Sequence, residues 1–205
     1  MDIMGCSDCY SEEKFAERAH SAKVVEMNMR KEIDEQDIDN FHTAIGRGDT
    51  KRVKSYIKRG IDVNIIEEDI WYGPMTALMR ASRAGRKEIV QLLIDNGADP
   101  FVYDNTYYTA LRMAIGRKDI VEILLKPQAD PKIKLQDIHR ALSDASEYGK
   151  TDVVEILIKA LFELIKDDED TANFNEYLTE PLEKASSRGH TEIVEMLNKA
   201  LYIKK

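Results

Sequence analysis

The sequence predicts an all-α solenoid of about five helix-turn-helix units, preceded by an N-terminal helical segment. Three observations point there. One pattern recurs: "GRKEIVQLLIDNGADP" at residues 85–100 returns as "GRKDIVEILLKPQADP" at 116–131. Five glycines, Gly48, Gly85, Gly116, Gly149 and Gly189, mark successive copies at separations of 37, 31, 33 and 40 residues, and self-similarity at such a period marks stacked repeats. Each glycine also divides a short segment with small residues (Ala44; Ala77 and Ala81; Ala110 and Ala114; Ala141 and Ala145; Ala185) from one with a wide apolar face. In the second copy that face is Ile89, Val90, Leu92, Leu93 and Ile94; in the third it is Ile120, Val121, Ile123, Leu124 and Leu125. A lone helix pair cannot bury such a face, whereas a stack of pairs can, each unit covering the next.

Taken in order, residues 1–37 come first. The stretch "SEEKFAERAHSAKVVEMNMRKEIDEQD" opens on Ser11 as an N-cap and carries no Pro or Gly through Asp37, so it reads as a helix. Phe15, Ala19, Ala22, Val25, Met29 and Ile33 share one face, suited to capping the open end of the stack. The repeat domain is then 38–205, with units near 38–72, 73–105, 106–137, 138–177 and 178–205. Unit one ends in a long link, "GIDVNIIEEDIWYGPMTA". Unit two is the most regular. Unit three is two residues short between Leu111 and Gly116 and has Gln128 where unit two has a closing glycine, so its first helix or inter-helix turn must tighten. Unit four has no closing "GAD"; "IKALFELIKDDEDTANFNEYL" predicts a second helix running towards Lys166, then a long polar loop. Unit five ends in "NKALYIKK", polar enough for a terminal cap.

Composition bounds the function. With 43% hydrophobic and 33% charged residues the chain has material for a core. A formal charge of −8 disfavours nonspecific nucleic-acid binding, which rests on cationic neutralisation of phosphates. No run approaches the length of a membrane helix, and the acidic start lacks the pattern of a secretory signal. An intracellular, cytoplasmic monomer without membrane contact is the expectation. Cys6 and Cys9, in "CSDC", have the two-residue spacing of half a zinc site or of a redox pair, but the two further ligands that a zinc site needs do not follow at matched spacing. The nearby "MGCSDC" would resemble an acylation signal only if the chain began at Met4. His20, His42, His139 and His190 form no triad, and there is no phosphate loop and no "HExxH". No catalytic residue, metal or cofactor is expected.

The second unit, written T-A-L-x-x-A-x-x-x-G-x-x-E-I-V-x-x-L-L-x-x-G-A-D-P over residues 76–100, resembles the ankyrin repeat almost position for position, and the likeness extends over roughly 38–205. The resemblance implies paired helices with β-turn or finger loops and a scaffold that binds another protein without chemistry of its own: an inhibitor, tether or adaptor. An alternative is a regulatory or host-directed adaptor whose N-terminal segment adds a second contact through self-association, a metal or a membrane.

In that family the contact surface comprises loop tips before each first helix and exposed positions at that helix's end. On this sequence the tips are Trp71, Tyr72 and Met75; Asn105, Tyr107 and Tyr108; Gln136 and His139; and Glu176 and Tyr177. The helix ends are Arg47, Arg83, Glu147, Tyr148 and Arg188. Aromatics and arginines recur there, as they do in binding hot spots. Separately, Arg47, Lys51, Arg52, Arg83, Arg86, Lys87, Arg117 and Lys118 cluster at successive inter-helix turns, and stacking would line them into a basic stripe suited to an acidic or phosphorylated partner. The ordinary alternative is a solvated edge.

Overall fold

A computed structural model describes residues 33–69, 73–104, 108–127, 130–165 and 174–203. Two compact units divide the chain, Met1–Asp34 and Glu35–Lys205. The expected N-terminal helix falls mostly outside the described residues; Ile33 and Asp34 are not helical, and the first described helix begins at Glu35.

Five helix pairs follow. They are α1 (Glu35–Arg47) with α2 (Thr50–Arg59), α3 (Ala77–Ala84) with α4 (Lys87–Asp95), and α5 (Ala110–Met113) with α6 (Lys118–Leu124). Then come α7 (Pro131–Glu147) with α8 (Thr151–Ile165), and α9 (Phe174–Ser187) with α10 (Thr191–Ile203). First helices pack in series, α1 on α3, α5, α7 and α9, and second helices form a parallel series from α2 to α10. Phe41, Leu78, Leu111 and Leu142 recur as a buried ladder in the first layer, answered by Val53, Leu93, Leu124 and Leu157 in the second. No described helix is long and apolar enough to cross a membrane.

Local chemistry sets the helix limits. Asp49 caps α2 by accepting from the Arg52 amide at 3.0 Å, and Gly60 ends it in the left-handed region at φ +93°. Thr76 caps α3 through the Met79 amide at 3.2 Å, and Thr109 caps α5 through the Arg112 amide at 3.3 Å. The long first link forms a hairpin of β1 (Ile66–Asp69) and β2 (Gly73–Thr76), antiparallel with Ile66 opposite Thr76. Glu67 of the hairpin pairs with Arg80, whose Nε lies 3.3 Å from Nδ1 of the buried His42, so the finger is tied to units one and two. The two missing residues of unit three leave α5 a single turn, closed by the Arg117 amide on the Ala114 carbonyl at 2.7 Å.

Units four and five depart from the expected loops. Asp130 accepts from the Lys132 amide at 2.8 Å and Pro131 occupies the first turn, so α7 starts where a finger was predicted. Likewise α9 starts at Phe174 and runs through Pro181. Gln136, His139, Glu176 and Tyr177 are therefore helical positions and not loop tips, because no glycine interrupts either segment before Gly149 or Gly189.

Contacts between units reuse one device. The residue after the mid-unit glycine reaches back over the preceding unit. Arg86 donates from Nη2 and Nε to the Gly46 carbonyl at 2.8 and 3.1 Å and lies against Gly48. Arg117 lies against Gly85, and His190 packs on Gly149 with Nε2 3.1 Å from the Glu147 carbonyl oxygen. In units one and four the carbonyl end of the first helix is thus covered by a cation or an imidazole. Arg86 and Arg117 leave the predicted basic stripe for this reason. Asn64 adds a second stitch, donating to the Gly97 carbonyl at 3.1 Å and accepting from the Asp99 amide at 2.8 Å.

Candidate functional site

The predicted contact residues fall into four groups. Trp71, Tyr72, Asn105 and Tyr107 lie outside the described residues. Met75 is fully buried; it faces inward from β2 beside the Thr76 cap, so it belongs to the core and not to a contact surface. Arg83 is half-buried and Arg47 exposed, both at the ends of their helices. The remainder, Tyr108, Gln136, His139, Glu147, Tyr148, Glu176, Tyr177 and Arg188, gather along α5, α7 and α9.

Of these, His139 lines a groove of about 360 Å³ together with Arg112, Arg140, Ser143, Asp144, Glu180 and Lys184. Its α5 wall is Arg112. The Arg112 guanidinium lies 4.0 Å from the Tyr108 ring centroid and donates from Nε to Asp144 at 2.6 Å, so cation–π stacking and a charge-assisted bond fix it together. The half-buried Tyr108 is held by its own loop: its amide donates to Asp104 at 2.9 Å, and the Asp104 amide donates back to the Tyr108 carbonyl at 3.0 Å.

The centre is built by helical spacing on α7. Gln136, His139, Arg140, Ser143, Asp144 and Glu147 recur every three or four residues and so share a face. His139 meets the Tyr177 ring edge-on at 5.6 Å, and its Nε2 stands 3.6 Å from Glu180. Burial holds the His139 imidazole below its usual pKa; the Glu180 charge opposes this, while Arg140 and Lys184 reinforce it.

The α9 wall repeats the spacing with Glu176, Tyr177, Glu180, Lys184 and Arg188. Lys184 pairs with Glu180 at 3.0 Å and approaches Glu147 at 3.7 Å, and Arg188 binds Glu147 at 2.6 Å. Burial works against the Lys184 ammonium, but the hydrogen bond and charge of Glu180 outweigh it and raise its pKa. The Arg188 hydrogen bond, helped by Lys184, holds Glu147 below the usual carboxylate range. Beneath the groove, Thr109 donates to Asp137 at 2.6 Å; burial still pushes the Asp137 carboxyl up to about 6.

The wall is thus a ladder of paired charges flanked by Tyr108, Tyr177 and the exposed Tyr148. Such pairs offer fixed donors and acceptors beside aromatic area, which suits recognition of a polar protein surface. Among the described residues no group of three or more His, Cys, Asp or Glu side chains is placed to hold a metal ion. Arg112, Arg140, Asp144, Glu180 and Lys184 escaped the sequence reading. For Arg140 and Asp144 the signal was the Asp130-Pro131 helix start, which puts residues 136 to 147 on one helical register.

Comparison with known proteins adds a family and two relatives. The sequence model described as ankyrin repeats (3 copies) matches residues 41–135. The chain is 40% identical over 65 residues to the 2-5A-dependent ribonuclease of Mus musculus, a stretch covering 32% of this chain and 8% of that protein. It is 28% identical over 89 residues to the NAD-capped RNA hydrolase NUDT12 of Homo sapiens, covering 43% of this chain and 18% of the relative. The chain therefore spans under a fifth of either relative it matches.

Proposed function

Because this chain is an ankyrin-repeat protein, with the repeats matched over residues 41–135, we propose that it is a non-catalytic module that binds a partner protein along the first helices of units three to five. It acts by occupancy, as an inhibitor, tether or adaptor. One observation carries the choice of surface: His139 lines one groove with Arg112 and Lys184, and Tyr177 and Tyr108 pack on His139 and Arg112 in turn. Aromatic rings held at fixed positions give contact area at low entropic cost, and the paired charges set orientation.

The test is affinity capture from native lysate, using the wild type beside a Tyr177→Ala, Lys184→Glu double variant whose circular dichroism matches. A partner held by the wild type should bind the variant about 30-fold more weakly, as loss of a hot spot predicts. Equal capture by both proteins would remove this groove from the interface.

A further inference from the structure

The second-helix layer carries a charged face that the groove does not use. Helix α2, "TKRVKSYIKR", holds five cations and no acid. Arg59 turns inward to a bidentate bond with Asp37 at 3.0 and 2.5 Å and lies 5.3 Å from the Tyr56 ring centroid. Lys51, Arg52, Lys54 and Lys58 are all exposed, and none is ion-paired with a described residue. Lys51, Lys54 and Lys58 stand at i, i+3 and i+7, an outward stripe about 10 Å long. Neighbouring like charges on a helix repel, and this row persists in a chain of net charge −8.

Beside the stripe runs a groove of about 410 Å³. Lys54 borders it from α2; Leu92 with Glu88 and Asp95 comes from α4, as does Lys87, which is paired with Asp119 at 3.4 Å, and the buried Ile123 closes it from α6. We propose that this face docks an amphipathic acidic segment of a partner protein, with carboxylates over Lys51, Lys54 and Lys58 and an aliphatic side chain over the half-buried Leu92. Glu88 and Asp95 restrict the partner's acids to its α2 edge. They also disfavour a nucleic acid, whose phosphates need cations along the whole path. An anionic membrane surface is disfavoured for the same reason, since Glu88 and Asp95 would face its headgroups.

The experiment is fluorescence anisotropy of the full chain with a short labelled peptide carrying Glu at i, i+3 and i+7 and Leu on the adjoining face. The expected results are salt-sensitive binding, at least about tenfold weakening by Lys51→Glu, Lys54→Glu, Lys58→Glu, and weakening when the peptide Leu is replaced by Ser. Circular dichroism checks the fold, and Lys54→Gln alone serves if the triple variant unfolds. Tyr177→Ala, Lys184→Glu should leave this binding unchanged, which separates the two surfaces. The proposal is overturned if the wild type does not bind the peptide or the charge-reversed protein binds equally. Tighter binding of a single-stranded oligonucleotide or of phosphatidylserine vesicles than of the peptide also overturns it.

Discussion

Asp137 shows how one residue couples fold to pH. It is 5% exposed, and its carboxyl is raised from 3.8 to about 6 by burial, against the Thr109 hydrogen bond and the charges of Arg112 and Arg140. A group whose folded pKa is raised binds its proton more tightly in the native state. Its stabilising contribution is complete below pH 4 and is lost as pH rises through 6. A shift of about two units corresponds to about 3 kcal/mol. Asp137→Asn keeps an acceptor for Thr109, so urea denaturation should find it more stable than the wild type at pH 7, by up to about 3 kcal/mol, and equal near pH 4. A constant difference across that range would contradict the assignment. Arg86 offers a second residue-scale prediction. Its two bonds to the Gly46 carbonyl make Arg86→Ala cost about 1–3 kcal/mol, whereas exposed Lys51→Ala should change stability by less than about 0.5 kcal/mol. Neither role is written in a residue's type; both depend on what the fold sets opposite it.

At the scale of elements, the two threonine caps make a controlled pair. Thr76 and Thr109 cap α3 and α5 in the same way, but Thr109 also donates to Asp137. Thr76→Val should cost about 1 kcal/mol, the usual value of an N-cap. Thr109→Val should cost about 2–3 kcal/mol at pH 7, since it also strips a partner from a buried carboxyl. The turn at Gly149 is tighter still. Its φ is +66°, and a Cβ there would meet His190 Cε1 at 2.7 Å. Gly149→Ala should therefore lose about 1–2 kcal/mol from the left-handed backbone alone, and more in the wild type than in a His190→Ala background. Equal losses in the two backgrounds, measured by thermal melting, would mean that the ring moves aside freely. The helix pairs, their mid-unit glycines and the shortened unit three were legible because each rests on local periodicity and turn chemistry. The helical starts at Pro131 and Phe174 were missed because repeat alignment assigned those residues to loops, although Asp130 and Pro131 carried an N-cap signal.

For the whole repeat unit, stability comes from neighbours. Unit three has the shortest helices, four and seven residues, too short to persist alone. It is held by α3 and α4 on one side and, on the other, by the Arg112–Asp144 and Thr109–Asp137 bonds into α7. A stack of nearest-neighbour contacts breaks where its intrinsic terms are weakest. Hydrogen exchange should therefore be faster in α5 and α6 than in α7 and α8, and Leu124→Ala should split urea unfolding into two transitions. A single transition, with uniform protection across the five units, would show that the stack is more cooperative than this.

The sequence by itself determined the repeat. Glycine spacing, small residues before each turn and wide apolar faces after it require helix pairs that stack, because no single pair can bury its own face. The resemblance to ankyrin repeats also singled out Tyr108, His139, Glu176 and Tyr177 as loop tips, whereas the last three are helical. Tertiary structure decided which of them meet. The groove joins residues 32 to 72 positions apart, from Arg112 to Asp144 and Lys184, and no local pattern encodes such pairings. Stacking likewise divided the basic residues, drawing Arg86 and Arg117 onto the preceding units and leaving Lys51, Lys54 and Lys58 facing water. A side chain's type sets the bonds it can make, and only the packed chain supplies the partner.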